Sequence, residues 1–306
     1  MALTYDELSA TTEKFFLKKM VDNIFNSNSL LQRLRKKSYK AQEGGTHIMV
    51  PVAYAATTAA GWYSGTDTLD TSSNDQITAA AFTRAHAYAN ITIAHTDELT
   101  NSGDAQQIDF VRSKVQMAEM TLKDNMGTAV FNLGTDADAL VGLRLAVDSA
   151  GTYGGIARGD YAWWAGAEDS TTTVTTLAAL QAAFGDVTVG ADKPTVAITT
   201  QDLYDAYINL LQPQQRFVDE DTANAGFRNV MFQSVPVIVD SHCTADHWYF
   251  LNEDYLTLWY HPKDNFRFEP FVRPADQAVA SAKVFWAGQM TCSNCRMQVK
   301  LNTLAS

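Results

Sequence analysis

One stretch limits the fold more than any other: residues 104–133 run without a single proline and keep one apolar side. Ile108, Val111, Val115, Leu122, Met126 and Val130 recur at helical steps, with Ala118 and Ala129 on the same side. Arg112, Glu119, Lys123 and Asp124 take the other faces. Asn101-Ser102-Gly103-Asp104 supplies turn and capping residues before the run, Asp109 puts acid in its early turns, and Gly134 closes it. At 1.5 Å per residue such a helix spans roughly 45 Å, against a mean globular helix of about 11–12 residues. A helix of that length braces a domain rather than walling a pocket, and it reads as a spine.

Ahead of the spine the pattern changes twice. Residues 6–26 set Leu8, Phe15, Phe16, Met20, Ile24 and Phe25 against Glu13, Lys14, Lys18 and Lys19, as an amphipathic helix does. A shorter helical piece, 29–37, carries Leu30, Leu31 and Leu34 and ends in Arg35-Lys36-Lys37, before Gly44-Gly45 breaks the pattern. From His47 the period becomes two. Residues 46–55 and 80–94 read as strands; in the second, Phe82, Arg84, His86, Tyr88, Asn90 and Thr92 share a face opposite Thr83, Ala85, Ala87, Ala89, Ile91 and Ile93. With the polar tip between them, about 61–76, they make an extended hairpin. An isolated hairpin is marginal in water, so its small-residue face is expected to lie on another surface, such as a second subunit.

After the spine comes a loop dense in glycine and aromatics, 151–166, and then a boundary at 170–173. Helix 177–184, strand 195–199, helix 202–211, strands 235–239 and 247–251 and a short piece 254–259 then alternate as an α/β module of about 90 residues. Segments 266–273 and 279–301 read as strands that return to the spine. The chain is thus expected to be α+β and to divide into an arm (1–45), a hairpin (46–100), a spine-bearing domain (101–170), a module (171–262) and return strands (263–306).

Composition removes several function classes. With 306 residues, 46% hydrophobic and 11% aromatic, the chain can fill about two cores. The net charge of −11 divides into +3 over residues 1–45 and −14 over the rest, an acidic body that repels nucleic acid. The opening residues lack a basic and apolar leader, and no run of 18 apolar residues exists, so neither a secretory signal nor a membrane span is expected. Three cysteines make no secreted disulfide framework, which points to a reducing cytoplasm.

No catalytic constellation emerges. Cys292-Ser293-Asn294-Cys295, with His242, Cys243 and His247, offers zinc-type donors. A strand over 283–301 would send positions three apart to opposite faces, so the two thiols are expected not to converge, and no metal site is assigned. Gly151-Thr152-Tyr153-Gly154-Gly155 lacks the phosphate-loop spacings and reads as turns. Asp97-Glu98, Glu253-Asp254 and Asp219-Glu220-Asp221 read as caps and solvated loops rather than an acid–base pair. Neither GxSxG nor HExxH is present. His47, His86, His95, His242, His247 and His261 are scattered. Tyr153, Tyr161, Trp163 and Trp164 read as packing beneath a loop, with stacking on a sugar or base as the alternative. The expectation is no enzyme and no cofactor.

The order of the pieces resembles the major capsid proteins of tailed bacteriophages with the Hong Kong 97-like fold. Three stretches resemble that family's sequences: 91–103 (ITIAHTDELTNSG), the 151–164 loop, and 266–294 (FRFEPFVRPADQAVASAKVFWAGQMTCSN). The last is a strand, an Arg-Pro turn, a polar link and a strand ending in Ala-Gly-x-x-x-x-Ser-Asn. The resemblance implies an N-terminal arm, an extended hairpin loop, a peripheral domain with the long spine helix, and an inserted axial α/β domain. It implies a structural virion protein whose copies, in hexamers and pentamers, close an icosahedral shell around packaged double-stranded DNA without reading its sequence. Assembly would take place in the host bacterial cytoplasm, with a portal, and with scaffold and cement proteins as separate partners. Subunit contacts would fall on Trp62, Tyr63, Phe82 and Arg84 of the hairpin, Arg35 and Lys36 of the arm, and Arg273. Crosslinking relatives join a loop lysine to a neighbour's asparagine; residues 46–103 contain no lysine, so no such isopeptide is expected. The segment before the hairpin is too short for a large fused scaffolding domain. An encapsulin-like compartment shell is the nearest alternative, and a soluble α/β enzyme or a glycan-binding protein are alternatives of another class.

Overall fold

A computed structural model describes residues 28–100, 104–133, 138–211 and 230–304. The helix expected over 6–26, the cap cluster at 101–103, Gly134 and the acidic run 219–221 lie outside the described residues.

Helix α1 (Ser29–Lys37) starts where the Asn28 side chain accepts the Leu31 amide, and it buries Leu30, Leu31 and Leu34. Strands β1 (Tyr39–Ala41), β2 (His47–Ala53), β3 (Ile77–Thr83) and β4 (Ala85–Ala94) follow. A short α2 (His95–Thr100) then leads to the spine, α3 (Asp104–Phe131). Its 28 residues bury Val111, Val115, Ala118, Leu122, Met126 and Val130, the stripe expected from the sequence. Gly127 on its far side leaves room for the His242 ring, which a Cβ there would meet at 2.6 Å. His242 Nε2 sits 3.1 Å from Asp124 Oδ1, tying the module to the spine.

The hairpin differs from the sequence reading. The alternation across 80–94 changes phase at Arg84: Ala80 and Phe82 are buried before it, and Ala85, Ala89, Ile91 and Ile93 after it. Only β3 pairs with β2, from His47 opposite Thr83 to Ala53 opposite Ile77. Strand β4 leaves the hairpin and runs antiparallel to a return strand in the body. Phe82 therefore does not share a face with Arg84, His86 and Tyr88. A period-two pattern hides such a break because the residues on both sides still alternate in polarity.

Helix α4 (Leu143–Ala146), the tiny ribbon β5 (Thr152–Tyr153) and β6 (Ile156–Ala157), and β7 (Ala167–Asp169) lead into the module. There α5 (Leu177–Asp186), β8 (Val196–Thr199), α6 (Gln201–Leu211), β9 (Met231–Phe232), β10 (Val235–Val239) and β11 (His247–Leu251) follow one another. Strands β12 (Leu256–Val272), β13 (Val279–Cys292) and β14 (Val299–Asn302) finish the chain.

Two sheets carry the architecture. One has the order β1-β12-β13-β4, with the spine packed on β4. The other has the order β7-β14-β11-β8-β10-β9 and belongs to the module. Strand β11 is buried along its whole length, as a central strand covered on both faces must be. The boundary expected at 171–262 shifts accordingly: the module's sheet takes in β7 before it and β14 from the chain's end, while the strands Leu256–Val272 and Val279–Cys292 belong to the other sheet. The segment 279–301 is not one strand either. It stops at Cys292, turns through a short 3-10 helix at Cys295–Met297, and restarts as β14 in the second sheet. Two apolar cores result, one around the spine and hairpin base, the other around Leu180, Phe184, Tyr207, Phe232, Trp248 and Phe250.

Candidate functional site: subunit-contact surfaces

The hairpin is gripped at its base and bare at its tip. At the base, Tyr54 stacks on Trp163 at 5.1 Å, Phe82 meets Tyr153 edge-on at 4.9 Å, and the Ala81 amide donates to the Gly154 carbonyl at 2.9 Å. The glycine-aromatic loop is thus a bracket for the hairpin. Tyr153 and Trp164 are buried in it, with the Trp164 indole N–H donating to the Tyr153 carbonyl, which excludes these two rings as a stacking platform. The tip is folded by its own polar residues: Asn74 accepts the Thr58 amide and donates to the Ala56 carbonyl, and Asp67 accepts the Ser64 amide. Trp62 is fully exposed and Tyr63 is 70% exposed. Among the described residues, neither ring is buried against its own subunit.

The other candidate residues separate. Phe82, 3% exposed, is a core residue and leaves the set of surface candidates. Arg84 donates to the Gly44 carbonyl at 3.2 Å and so braces the hairpin root. Arg35 is half-buried and Lys36 exposed in the last turn of α1; Arg273 is exposed in the link after β12. The structure brings Trp62 and Tyr63 together at one tip and Arg35 and Lys36 on one helix, and leaves Arg273 apart. A further exposed face lies on the spine side of the body. There Tyr88, Lys114, Met117 and Thr121 line a groove of about 580 Å³ between β4 and α3, and Met117 and Met120 are more than 60% exposed.

Several residues that hold the scaffold gave no sequence signal. Glu253, read as a solvated acid, is 2% exposed and forms a forked pair with Arg33, whose Nη2 lies 2.8 Å from Oε2. The Thr195 hydroxyl donates to the same carboxylate, and Lys37 stands 3.8 Å away. Arg33→Ala strands a buried carboxylate with only these weaker partners, so a loss of about 2–4 kcal/mol is expected in urea denaturation of unassembled subunits. A change within experimental error would show that Lys37 replaces it fully. Lys300, also buried, lies 3.2 Å from Glu168 and 3.6 Å from Asp148.

Asp169 caps the crossing into the module. It accepts from the Thr172 hydroxyl and from the amides of Thr171 and Thr172 at 2.9 and 3.1 Å. These bonds, the Thr172 hydroxyl foremost, lower its pKa to about 2. The unfolded value is about 3.9, so this contribution is fully present above that range and is lost as pH falls toward the folded value. A carboxyl NMR titration should place the Asp169 midpoint near 2; a midpoint in the ordinary aspartate range would remove the capping role.

Among the described residues, no group of three or more His, Cys, Asp or Glu side chains is placed to hold a metal ion, and no helix is long and apolar enough to cross a membrane. One correction concerns the cysteines. The chain leaves the strand at Cys292 and enters the 3-10 turn at Cys295, so the two thiols are not held on opposite faces of one strand; they lie close enough to interact electrostatically, and both are fully buried.

An exposed hairpin held by a bracket, a long spine packed on one sheet, and an inserted α/β module that recaptures the chain's last strand together define the architecture. The chain has the α+β Hong Kong 97-like capsid fold. The capsid subunit of cyanophage A-1(L) matches it with a TM-score of 0.70 at 16% identity, over 90% of this chain and 93% of that one. The capsid of a native GTA particle matches with a TM-score of 0.62 at 15% identity, over 90% of each chain. The holo-SrpI encapsulin complex from Synechococcus elongatus matches with a TM-score of 0.56 at 12% identity, over 89% of this chain and 87% of that one. No protein-family model and no curated protein sequence matches the chain.

Proposed function

We propose that this chain is the major capsid protein of a tailed phage, many copies of which close an icosahedral shell around packaged double-stranded DNA. The observation that carries the reading is whole-chain agreement with a phage capsid subunit, 90% of one chain against 93% of the other. The aromatic hairpin tip, uncovered in its own subunit, supports it. In this reading the hairpin of one copy lies across the Tyr88–Met117–Met120 face of the next. Such a contact joins two different patches and repeats around a ring. Hexamers and pentamers, a portal, and separate scaffold and cement proteins complete the assembly in the host cytoplasm. The net charge of −11 suits a container whose wall must not bind its DNA tightly. The role is structural rather than catalytic.

Negative-stain microscopy with sedimentation velocity tests this on the protein expressed alone, and then with its neighbouring genes. Closed shells or capsomer rings are expected; small species under both conditions would overturn the reading. A second reading, a cellular compartment shell, is favoured by the match to the SrpI encapsulin. Terminase and portal genes beside this one support the phage; a gene for an encapsulated enzyme supports the compartment.

A further inference from the structure

Arg158 is a buried charge that assembly leaves without a role. It is 2% exposed, and among the described residues no carboxylate lies within ion-pair distance of it. Its guanidinium donates to the carbonyls of Leu145, Ala150, Ala146 and Trp164 and packs on the Tyr153 ring with its carbon 5.2 Å from the centroid. Carbonyl dipoles spread a cation's charge without neutralising it, and an uncompensated buried charge is costly. The remaining neighbour is Cys295 Sγ, 3.8 Å from Nη2. Cys295 has Cys292 as its electrostatic neighbour, and the Cys292 backbone amide donates to the Tyr153 hydroxyl.

The Arg158 cation favours the charged form of the Cys295 thiol that it touches. Burial opposes it, but the neighbouring Cys292 thiol and the Arg158 cation together hold the Cys295 thiol below its ordinary value. Burial and the neighbouring sulfur push Cys292 up. Cys243 is a built-in contrast: it too is buried, and burial and Asp240 hold its thiol well above the ordinary range.

We propose that Cys292 and Cys295 form an oxidisable dithiol, with Cys295 as the nucleophile, Cys292 as the resolving thiol and Arg158 as the positioning cation. The co-reactant is a peroxide. The Cys295 thiolate attacks one peroxide oxygen, the O–O bond breaks, and a sulfenic acid forms while the departing hydroxide takes up a proton from solvent and leaves as water. The Cys292 sulfur then attacks the sulfenic sulfur, its proton leaves with the displaced hydroxide as a second water, and the S–S bond closes. The sulfurs lose two electrons and the peroxide gains them. The disulfide would pin the end of β13 to the 3-10 turn that feeds β14, the point where the chain passes between the two sheets. This proposal does not depend on the shell reading.

The test uses the full-length, pre-reduced protein, exposed to hydrogen peroxide under native conditions, quenched, denatured and alkylated. Closing the disulfide removes two hydrogens, so a loss of about 2 Da is expected, leaving only Cys243 to alkylate. Cys243 should react at least about tenfold more slowly. In Cys292→Ser, dimedone should trap a sulfenic acid at Cys295, and Arg158→Lys should retain more of the rate than Arg158→Met. Unchanged mass with all three thiols alkylated, or Cys243 reacting as fast as Cys295, would overturn the proposal. So would a dimedone label in Cys292→Ser that falls anywhere but Cys295.

Discussion

Subunits carrying Trp62→Ser and Tyr63→Ser together are expected to fold normally and to fail to close into shells. The two rings stand on a tip whose shape is set by Asn74 and Asp67, so removing them takes nothing from the subunit's own core. Surface changes of that kind shift folding stability by about 0.5 kcal/mol or less. Aromatic anchors at interface centres, by contrast, are worth about 2 kcal/mol or more each. In the proposed shell every subunit would make the contact, so the loss would recur at each joint. Sedimentation velocity should show small species where the parent gives shells, with an unchanged thermal melt for unassembled subunits. Shells in normal yield would take the tip out of the interface.

Gly154→Val is expected to release the hairpin while leaving the module folded. Gly154 and Gly155 form the turn of the β5–β6 ribbon with φ of 59° and 79°, values that a β-branched residue resists. A Cβ at Gly154 would also stand 2.8 Å from both Ala80 Cβ and Phe82 Cζ, against the hairpin base. Backbone strain and overpacking together cost about 2–4 kcal/mol. Gly155 has open space around it, so Gly155→Ala bears only the backbone penalty of about 1–2 kcal/mol. Hydrogen exchange should show β2 and β3 losing protection in Gly154→Val and shell yield falling with it. Equal behaviour of the two variants would mean that the loop does not set the hairpin's position.

The contrast between those two glycines shows where the sequence stops being informative. Both sit in one Gly-Gly pair, and a turn is legible from the pair alone; which of them faces the hairpin is not. The same division runs through the chain. The spine stripe from Val111 to Val130, the helix Ser29–Lys37, the strand β11 and the polar, turn-rich hairpin tip follow from local periodicity and turn chemistry. Those signals act between residues a few positions apart, so they survive in the sequence itself. The phase change at Arg84, the capture of β14 by the module, the pairing of Arg33 with Glu253 and the meeting of Arg158 with Cys295 do not follow from it. Each joins segments distant in the chain, from Phe250 with Val299 to Arg33 with Glu253, or breaks a pattern whose polarity still alternates. Residues 283–301 look like one strand because their composition is strand-like throughout. Only the passage between two sheets forces the bend between Cys292 and Cys295. Local chemistry thus determined the elements and the exposed tip. The long-range packing of two cores decided which charges are buried and which sulfurs meet, because desolvation is a property of the assembled interior and not of any one segment.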